Sequence, residues 1–340
     1  MKERAVALAL AGIMVLSMGG CGSKLDGNEN VMEVGGTKVT ADVANFYARY
    51  QQAQYETYYA GFMGDDMWSG EAEEGKTYEE SVKEGILDSL ETLYVLDAHK
   101  ADYGIELTED EKKAIADTAA DFTDANAKEA KEAVSGEAET VQQVLELLTV
   151  QEKMRAAMTA DVDTEVSDEE AAQKSMQYVY FSFTKTDEND NSTQLTDEEK
   201  KALKADAEAF RSGAAEAEDF AAYAEEKGYT ASTMTFDAQT TSPSQLLVAT
   251  ADKLGEGEVT EVVEDGAGYY VAKVTSLLDR DATDQKKETI VSQRKSDRFD
   301  ELCKEWKKDA DIKLHKSVWK KISFVKQGVT VKDTTKEADE

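Results

Sequence analysis

Apolar residues recur at helical spacing over two long stretches in the first half of the chain. Val82, Ile86, Leu87, Leu90, Leu93, Tyr94 and Leu96 fall on one face of a helix that begins after Thr77, and Val141, Val144, Leu145, Leu148, Met154 and Met158 repeat the pattern further on. A Thr or Ser followed three positions later by Glu marks helix starts at Thr77/Glu80, Thr108/Glu111, Ser167/Glu170 and Thr196/Glu199, because hydroxyl and carboxylate together satisfy the orphan amides of a first turn. Val31–Val39 reads as a strand pair across Gly35-Gly36, followed by a helix from Thr40 through Tyr59. The stretch 40–165 is therefore expected to be mostly helical.

Around Lys174 the pattern changes. Met176–Phe183 is β-branched and aromatic and predicts a buried strand, bounded by the polar loop 184–194. Helices over Asp197–Arg211 and Ala217–Glu226, a strand over Thr233–Phe236, a short helix over Gln245–Lys253 and strands over Val259–Val263 and Tyr269–Val274 complete a second unit. Its order is β-α-α-β-α-β-β. A charged helix from Asp284 to Lys308 carries Ile290, Phe299, Leu302, Cys303 and Trp306 on its apolar side; Asp311–Val325 reads as extended, and the polar tail Lys332–Glu340 as disordered.

The amino terminus adds a compartment. Lys2 and Arg4 precede an apolar run, Ala5–Leu16, in the layout of a secretory signal, too short for a permanent span of ~20 residues. Met18-Gly19-Gly20-Cys21 has the form of a lipoprotein-processing box, so lipidation at Cys21 is expected to hold the chain on the extracytoplasmic face of the cell membrane, with residues 21–30 as a tether reaching ~17 Å. With Cys21 lipidated only Cys303 remains, and no intramolecular disulfide can form. The net charge of -32 argues against nucleic acid or an anionic lipid surface as a direct partner and permits basic or unfolded polypeptides. No calcium loop, His/Cys cluster, phosphate loop or nucleophile elbow is visible, so neither metal nor cofactor is expected.

Leu254–Val274, LGEGEVTEVVEDGAGYYVAKV, resembles the closing stretch of parvulin-type prolyl isomerase domains, roughly L-x-x-G-E-V-S-x-P-V-x-T-x-x-G-Y-H-I-I-K-V. The hairpin-then-helix opening is similar to the start of the chaperone domain in PrsA and SurA foldases. The resemblance implies an α+β protein in which a mostly helical chaperone domain built from both termini, 31–169 with 284–330, carries an inserted parvulin-like domain, 170–280.

It also implies a site. Prolyl isomerisation needs no covalent chemistry: an enzyme lowers a barrier of ~18–20 kcal/mol by seating the proline in an apolar pocket and weakening the double-bond character of the imide. Parvulins surround that pocket with two histidines, an acidic or thiol group, and apolar side chains. The first histidine falls on Tyr178 and the second on Tyr270, while His99 and His315 lie outside the domain. The acidic position falls on Glu226, Met234 and Phe236 take the place of the family's G-G-D-L-G-W-F segment, and the pocket's Met and Phe fall near Pro243 and Leu247. Two phenols can replace a hydrogen-bonded histidine pair as donors and acceptors, though not as imidazole tautomers. Three readings follow: a foldase that binds unfolded exported polypeptides with little isomerase activity, an active isomerase with a modified pocket, or a lipoprotein scaffold. The stretch from Tyr47 to Trp68, rich in Tyr, Phe and Met, supplies core and possible client-binding surface alike.

Overall fold

The computed structural model describes residues 25–64, 66–186, 192–325 and 329; the signal segment, Cys21 and the polar tail lie outside them. The described residues fall into two compact units, divided after residues 161 and 295, with the chain's two ends sharing the first unit.

In the first unit β1 (Asn30–Val34) and β2 (Thr37–Thr40) pair antiparallel across Gly35 and Gly36, both at positive φ, where the absence of a Cβ removes the usual strain. β11 (Ile312–Leu314) pairs on the other edge of β1, giving the order β11-β1-β2. The helices α1 (Ala41–Met63), α2 (Tyr78–His99), α3 (Glu109–Ala125), α4 (Lys128–Val134) and α5 (Ala138–Met158) enclose a core of Val31, Met32, Phe46, Ile86, Leu90, Leu93, Phe122, Val141 and Leu145, among others. A short hairpin, β3 (Glu71–Glu73) with β4 (Lys76–Thr77), precedes α2, and Thr77 and Thr108 make complete capping boxes with Glu80 and Glu111. Two details depart from the sequence reading. The segment expected as a free tether is bonded from Asp26 onward, with Ala41 N–H donating to Glu29 and Lys321 paired to Glu29. Within Asp311–Val325 only β11 is a strand, and one turn of helix, α11 (Lys316–Trp319), follows it.

The second unit opens with a single turn, α6 (Asp168–Ala171), and is built on a four-stranded antiparallel sheet. Its strands are β5 (Lys174–Ser182), β8 (Ser232–Phe236), β9 (Val263–Asp265) and β10 (Gly268–Ser276), in the order β8-β5-β10-β9. The run expected as a polar loop forms a small hairpin, β6 (Thr184–Thr186) with β7 (Ser192–Gln194), because Lys185 reaches Glu199 and Gln194 bonds Thr184 across it. Val259–Val263 is not a continuous strand: Val259 makes one bridge to Lys273, Thr260 bonds Ala272, and regular pairing begins at Val263.

Alternation along the strands gives the sheet two apolar faces. Val179, Phe181, Tyr269 and Val271 face α7 (Asp197–Glu216) and α8 (Phe220–Glu226), joining Phe210, Ala214, Phe220 and Ala224. Met176, Phe236, Tyr270, Ala272 and Val274 face the other way, toward Leu247, Val248 and Ala251 of the short helix α9 (Gln245–Ala251). α10 (Arg280–Asp309) then leaves the sheet.

Candidate functional site

The face covered by α9 collects most of the side chains singled out from sequence. Leu247 and Phe236 are fully buried, Tyr270 is nearly so, and Tyr178 and Met234 pack half-buried against them. Strand register explains this grouping. β5 and β10 place Tyr178 opposite Ala272 and Met176 opposite Val274, while β5 and β8 place Met176 opposite Met234 and Tyr178 opposite Ser232. Helix α9 starts where Ser244 Oγ accepts from the Leu247 amide at 3.2 Å, which turns Leu247 and Val248 onto the sheet.

Burial falls off along β5. Met176 is inaccessible, Tyr178 is half-buried and Tyr180 is 38% exposed, so α9 closes one end of this face and leaves the other open. Three phenols stand at the open end. The Tyr180 and Tyr270 rings lie 4.7 Å apart at 32°, and the Tyr178 ring lies 6.1 Å from Tyr270. Tyr180 was not among the residues expected; its signal was present, since positions 178 and 180 of one strand must share a face. Its hydroxyl donates to Ala267 O at 2.6 Å, and its ring lies where a Cβ on Gly268 would stand, 2.4 Å from the nearest ring atom. Gly268 is therefore required by the close approach of the Tyr180 ring and of Phe181 O.

The electrostatics favour neutral donors. Burial, then the neighbouring Tyr180, Asp265 and Tyr178, raises the Tyr270 hydroxyl above the ordinary phenol value, so it stays protonated at any physiological pH. Beneath the phenols Met176, Met234, Phe236, Leu247 and Val274 form an apolar floor. Such an arrangement can seat an apolar ring and offer O–H donors from Tyr178 and Tyr270 to a main-chain carbonyl.

Glu226 is not part of it. It closes α8, which packs on the opposite face of the sheet, and its exposed carboxylate is engaged by Lys227 at 2.9 Å. The expected acidic member is corrected on that ground: the helix period that buries Phe220 and Ala224 turns Glu226 to solvent. His99 and His315 both belong to the first unit; His99 stacks on Trp306 and bonds Asp102, and His315 lies beside Asn30. A shallow depression lined by Thr164, Lys287, Glu288, Val291, Ser292 and Lys295 lies elsewhere in the second unit and lacks both an aromatic ring and an apolar floor. Among the described residues no cluster of His, Cys, Asp and Glu suits a metal, and no helix is long and apolar enough to cross a membrane.

Comparison with known proteins bears on this sheet first. Residues 182–287 match the family model of the PPIC-type PPIase domain; the match takes in Glu226, Met234, Phe236, Leu247 and Tyr270 and begins just after Tyr178 and Tyr180. No curated protein matches the chain. Among solved structures the chain is similar to the foldase protein PrsA of Streptococcus pneumoniae, at 18% identity over 75% of this chain and 98% of that one with a TM-score of 0.31. It is similar to PrsA of Lactococcus lactis at 12% identity over 87% and 97%, TM-score 0.33, and to PrsA of Bacillus subtilis at 18% over 76% and 98%, TM-score 0.21. Residues 182–287, which carry α7, α8, β8, α9, β9 and β10, are thus similar to PPIC-type PPIase domains over less than half of the chain.

Proposed function

We propose that the chain is an extracytoplasmic foldase, anchored to the cell membrane through a lipid on Cys21, that binds unfolded exported polypeptides and presents their proline-containing segments to the open face of its parvulin-type domain. The family match of residues 182–287 supports this reading, because that stretch holds Tyr270, Met234, Phe236 and Leu247 and is similar to a domain type that acts on prolyl peptide bonds. Tyr178 and Tyr270 are its hydrogen-bonding groups, the Tyr180 ring flanks Tyr270, and Met234, Phe236 and Leu247 form its apolar seat. In this reading capture dominates and isomerisation is slow, since neutral phenols offer donors without the imidazole tautomers that the family's usual pair supplies. Aggregation of several unrelated unfolded proteins, followed by light scattering with the chain lacking residues 1–20, tests it: suppression at comparable stoichiometry for all of them is expected, and suppression of none sinks it.

A second reading, an active prolyl isomerase, is favoured by one observation, the gathering of three phenols over an apolar floor. It requires turnover of Xaa-Pro peptides well above the uncatalysed rate that is lost in Tyr270→Ala while the fold is kept.

A further inference from the structure

In the first unit the segment after α11 is held in an unusual way. Ile322 to Val325 is neither helix nor strand, yet Ile322 and Phe324 are each 1% exposed while Val325 between core and solvent is 56% exposed. The segment follows a turn closed by Ile322 N–H on Trp319 O and bends at Phe324, so it lies against the unit with Ile322 and Phe324 inward and joins no sheet. Its main-chain polar groups meet charged side chains of α1 and α2 in place of a sheet edge. Arg49 Nη1 donates to Ser323 O at 3.1 Å, Lys83 Nζ donates to Ile322 O, Glu79 Oε1 accepts from Phe324 N–H at 2.6 Å, and Glu56 Oε2 accepts from Val329 N–H at 2.7 Å.

The walls are built for this purpose. Arg49 is 4% exposed, oriented by Asn45 Oδ1 at 3.3 Å and Gln52 Oε1 at 2.6 Å, and its guanidinium lies 5.7 Å from the centre of the Phe324 ring. Trp68 packs edge-on against Phe324 at 4.8 Å, its indole N–H held by Glu56, and Lys83 lies over Trp319 at 4.9 Å. Burying so many charged groups is costly unless each is bonded. Here Arg49 and Lys83 supply donors for carbonyls, and Glu56 and Glu79 supply acceptors for amides. A groove that reads main chain with charged donors and acceptors, and seats apolar side chains at every second position, places little demand on sequence.

We propose that this groove is a binding site for polypeptide with apolar residues at alternate positions, and that the chain's own Ile322–Val325, together with Val329, fills it in cis. The foreign occupant is an unfolded segment of that pattern. Only that identity rests on the foldase reading; the groove itself does not, and it is separate from the phenol pocket. A tethered segment competes at an effective concentration on the order of millimolar, so foreign peptide enters only as the segment leaves.

The probe is a fluorescein-labelled peptide with the sequence of residues 319–329, followed by fluorescence anisotropy against the full chain. Phe324→Asp in the chain is expected to loosen the segment and bind the peptide at least about tenfold more tightly than the unaltered chain. Adding Arg49→Ala, or placing Asp at the Phe324 position of the peptide, is expected to abolish that gain. Equal binding to altered and unaltered chains, or no binding to a folded Phe324→Asp chain, overturns the proposal. If Phe324→Asp fails to fold, the milder Phe324→Ala replaces it; failure of both to fold shows a segment that cannot leave, and overturns the proposal as well. Suppression of aggregation by the unaltered chain is measured separately, so loss of this site leaves the foldase reading standing.

Discussion

The two faces of the four-stranded sheet use the same strands and differ in how they are closed. On one, Phe181 and Phe210 meet at 5.7 Å, Phe210 and Phe220 at 5.6 Å, and Phe210 and Tyr229 at 5.4 Å, mostly edge to face, under two helices. On the other, a single short helix covers the floor, and the aromatic positions run from buried Phe236 and Tyr270 through half-buried Tyr178 to exposed Tyr180. Edge-to-face phenyl packing stabilises and does little else. A half-covered face lined by phenols keeps hydrogen-bonding capacity at its exposed end. The two faces therefore differ in cover and in polarity, the first closed by two helices and the second partly open to solvent.

The largest effect belongs to the closed face. Phe210→Ala is expected to cost about 3–5 kcal/mol in denaturant unfolding of the second unit, through loss of burial and the cavity it leaves. Leu247→Ala, under the thinner cover of α9, is expected to cost about 2–3 kcal/mol, because a half-open face relaxes into the vacated space. Equal losses would erase the distinction between the faces. Gly268→Ala comes next at about 1–3 kcal/mol, since its methyl meets Phe181 O and the Tyr180 ring; the change in Tyr180 fluorescence or ring resonances reports the displacement.

The edge where α10 meets the sheet has its own pH signature. Asp237 sits just past β8, bonded by Lys286 at 2.9 Å, Gln173 at 2.8 Å and the Gln239 amide. Burial by itself would raise its carboxyl, but Lys286, Gln173 and the Gln239 amide outweigh that and hold it well below the ordinary carboxylate value. Its contribution is therefore complete above the unfolded carboxylate range near pH 4, and is lost as pH falls through the lower folded value. Asp237→Asn is expected to cost about 1 kcal/mol at neutral pH and to flatten the acid limb of the unfolding midpoint. The smallest effect belongs to Tyr180→Ala, about 0.5–1 kcal/mol, because the ring is already partly in water and the loss is chiefly the hydrogen bond to Ala267 O, with peptide binding reduced far more than stability.

Much of this was legible in the chain. The β-branched and aromatic run Met176–Phe183 and the closing segment Leu254–Val274 located both central strands, and the Thr–Glu spacings located three complete capping boxes. Ser167 caps its helix from the hydroxyl side alone. Glu226 was misplaced because the family motif was carried onto a helix whose facing is set by Phe220 and Ala224, which local sequence spacing does not relate to the opposite side of a sheet. Tyr180 was overlooked although it shares the pattern of Tyr178; its significance depends on Gly268, a cross-strand neighbour nearly ninety positions away. The extended reading of Asp311–Val325 missed that its last part is bonded by side chains of α1 and α2, a long-range arrangement without local signature. The Tyr47–Trp68 stretch divides: Tyr47, Met67 and Trp68 are core, while Tyr58, Tyr59, Phe62 and Met63 are exposed.

The central claim is that the open, phenol-lined face is where the domain meets polypeptide. An NMR titration of the chain lacking residues 1–20 with Xaa-Pro peptides, combined with exchange spectroscopy on the peptide, tests it most directly. The account predicts shifts concentrated on Tyr178, Tyr180, Tyr270 and Leu247, with cis–trans exchange accelerated only slightly. Shifts confined to the closed face around Phe210, or no shifts from a folded chain at millimolar peptide, would contradict it.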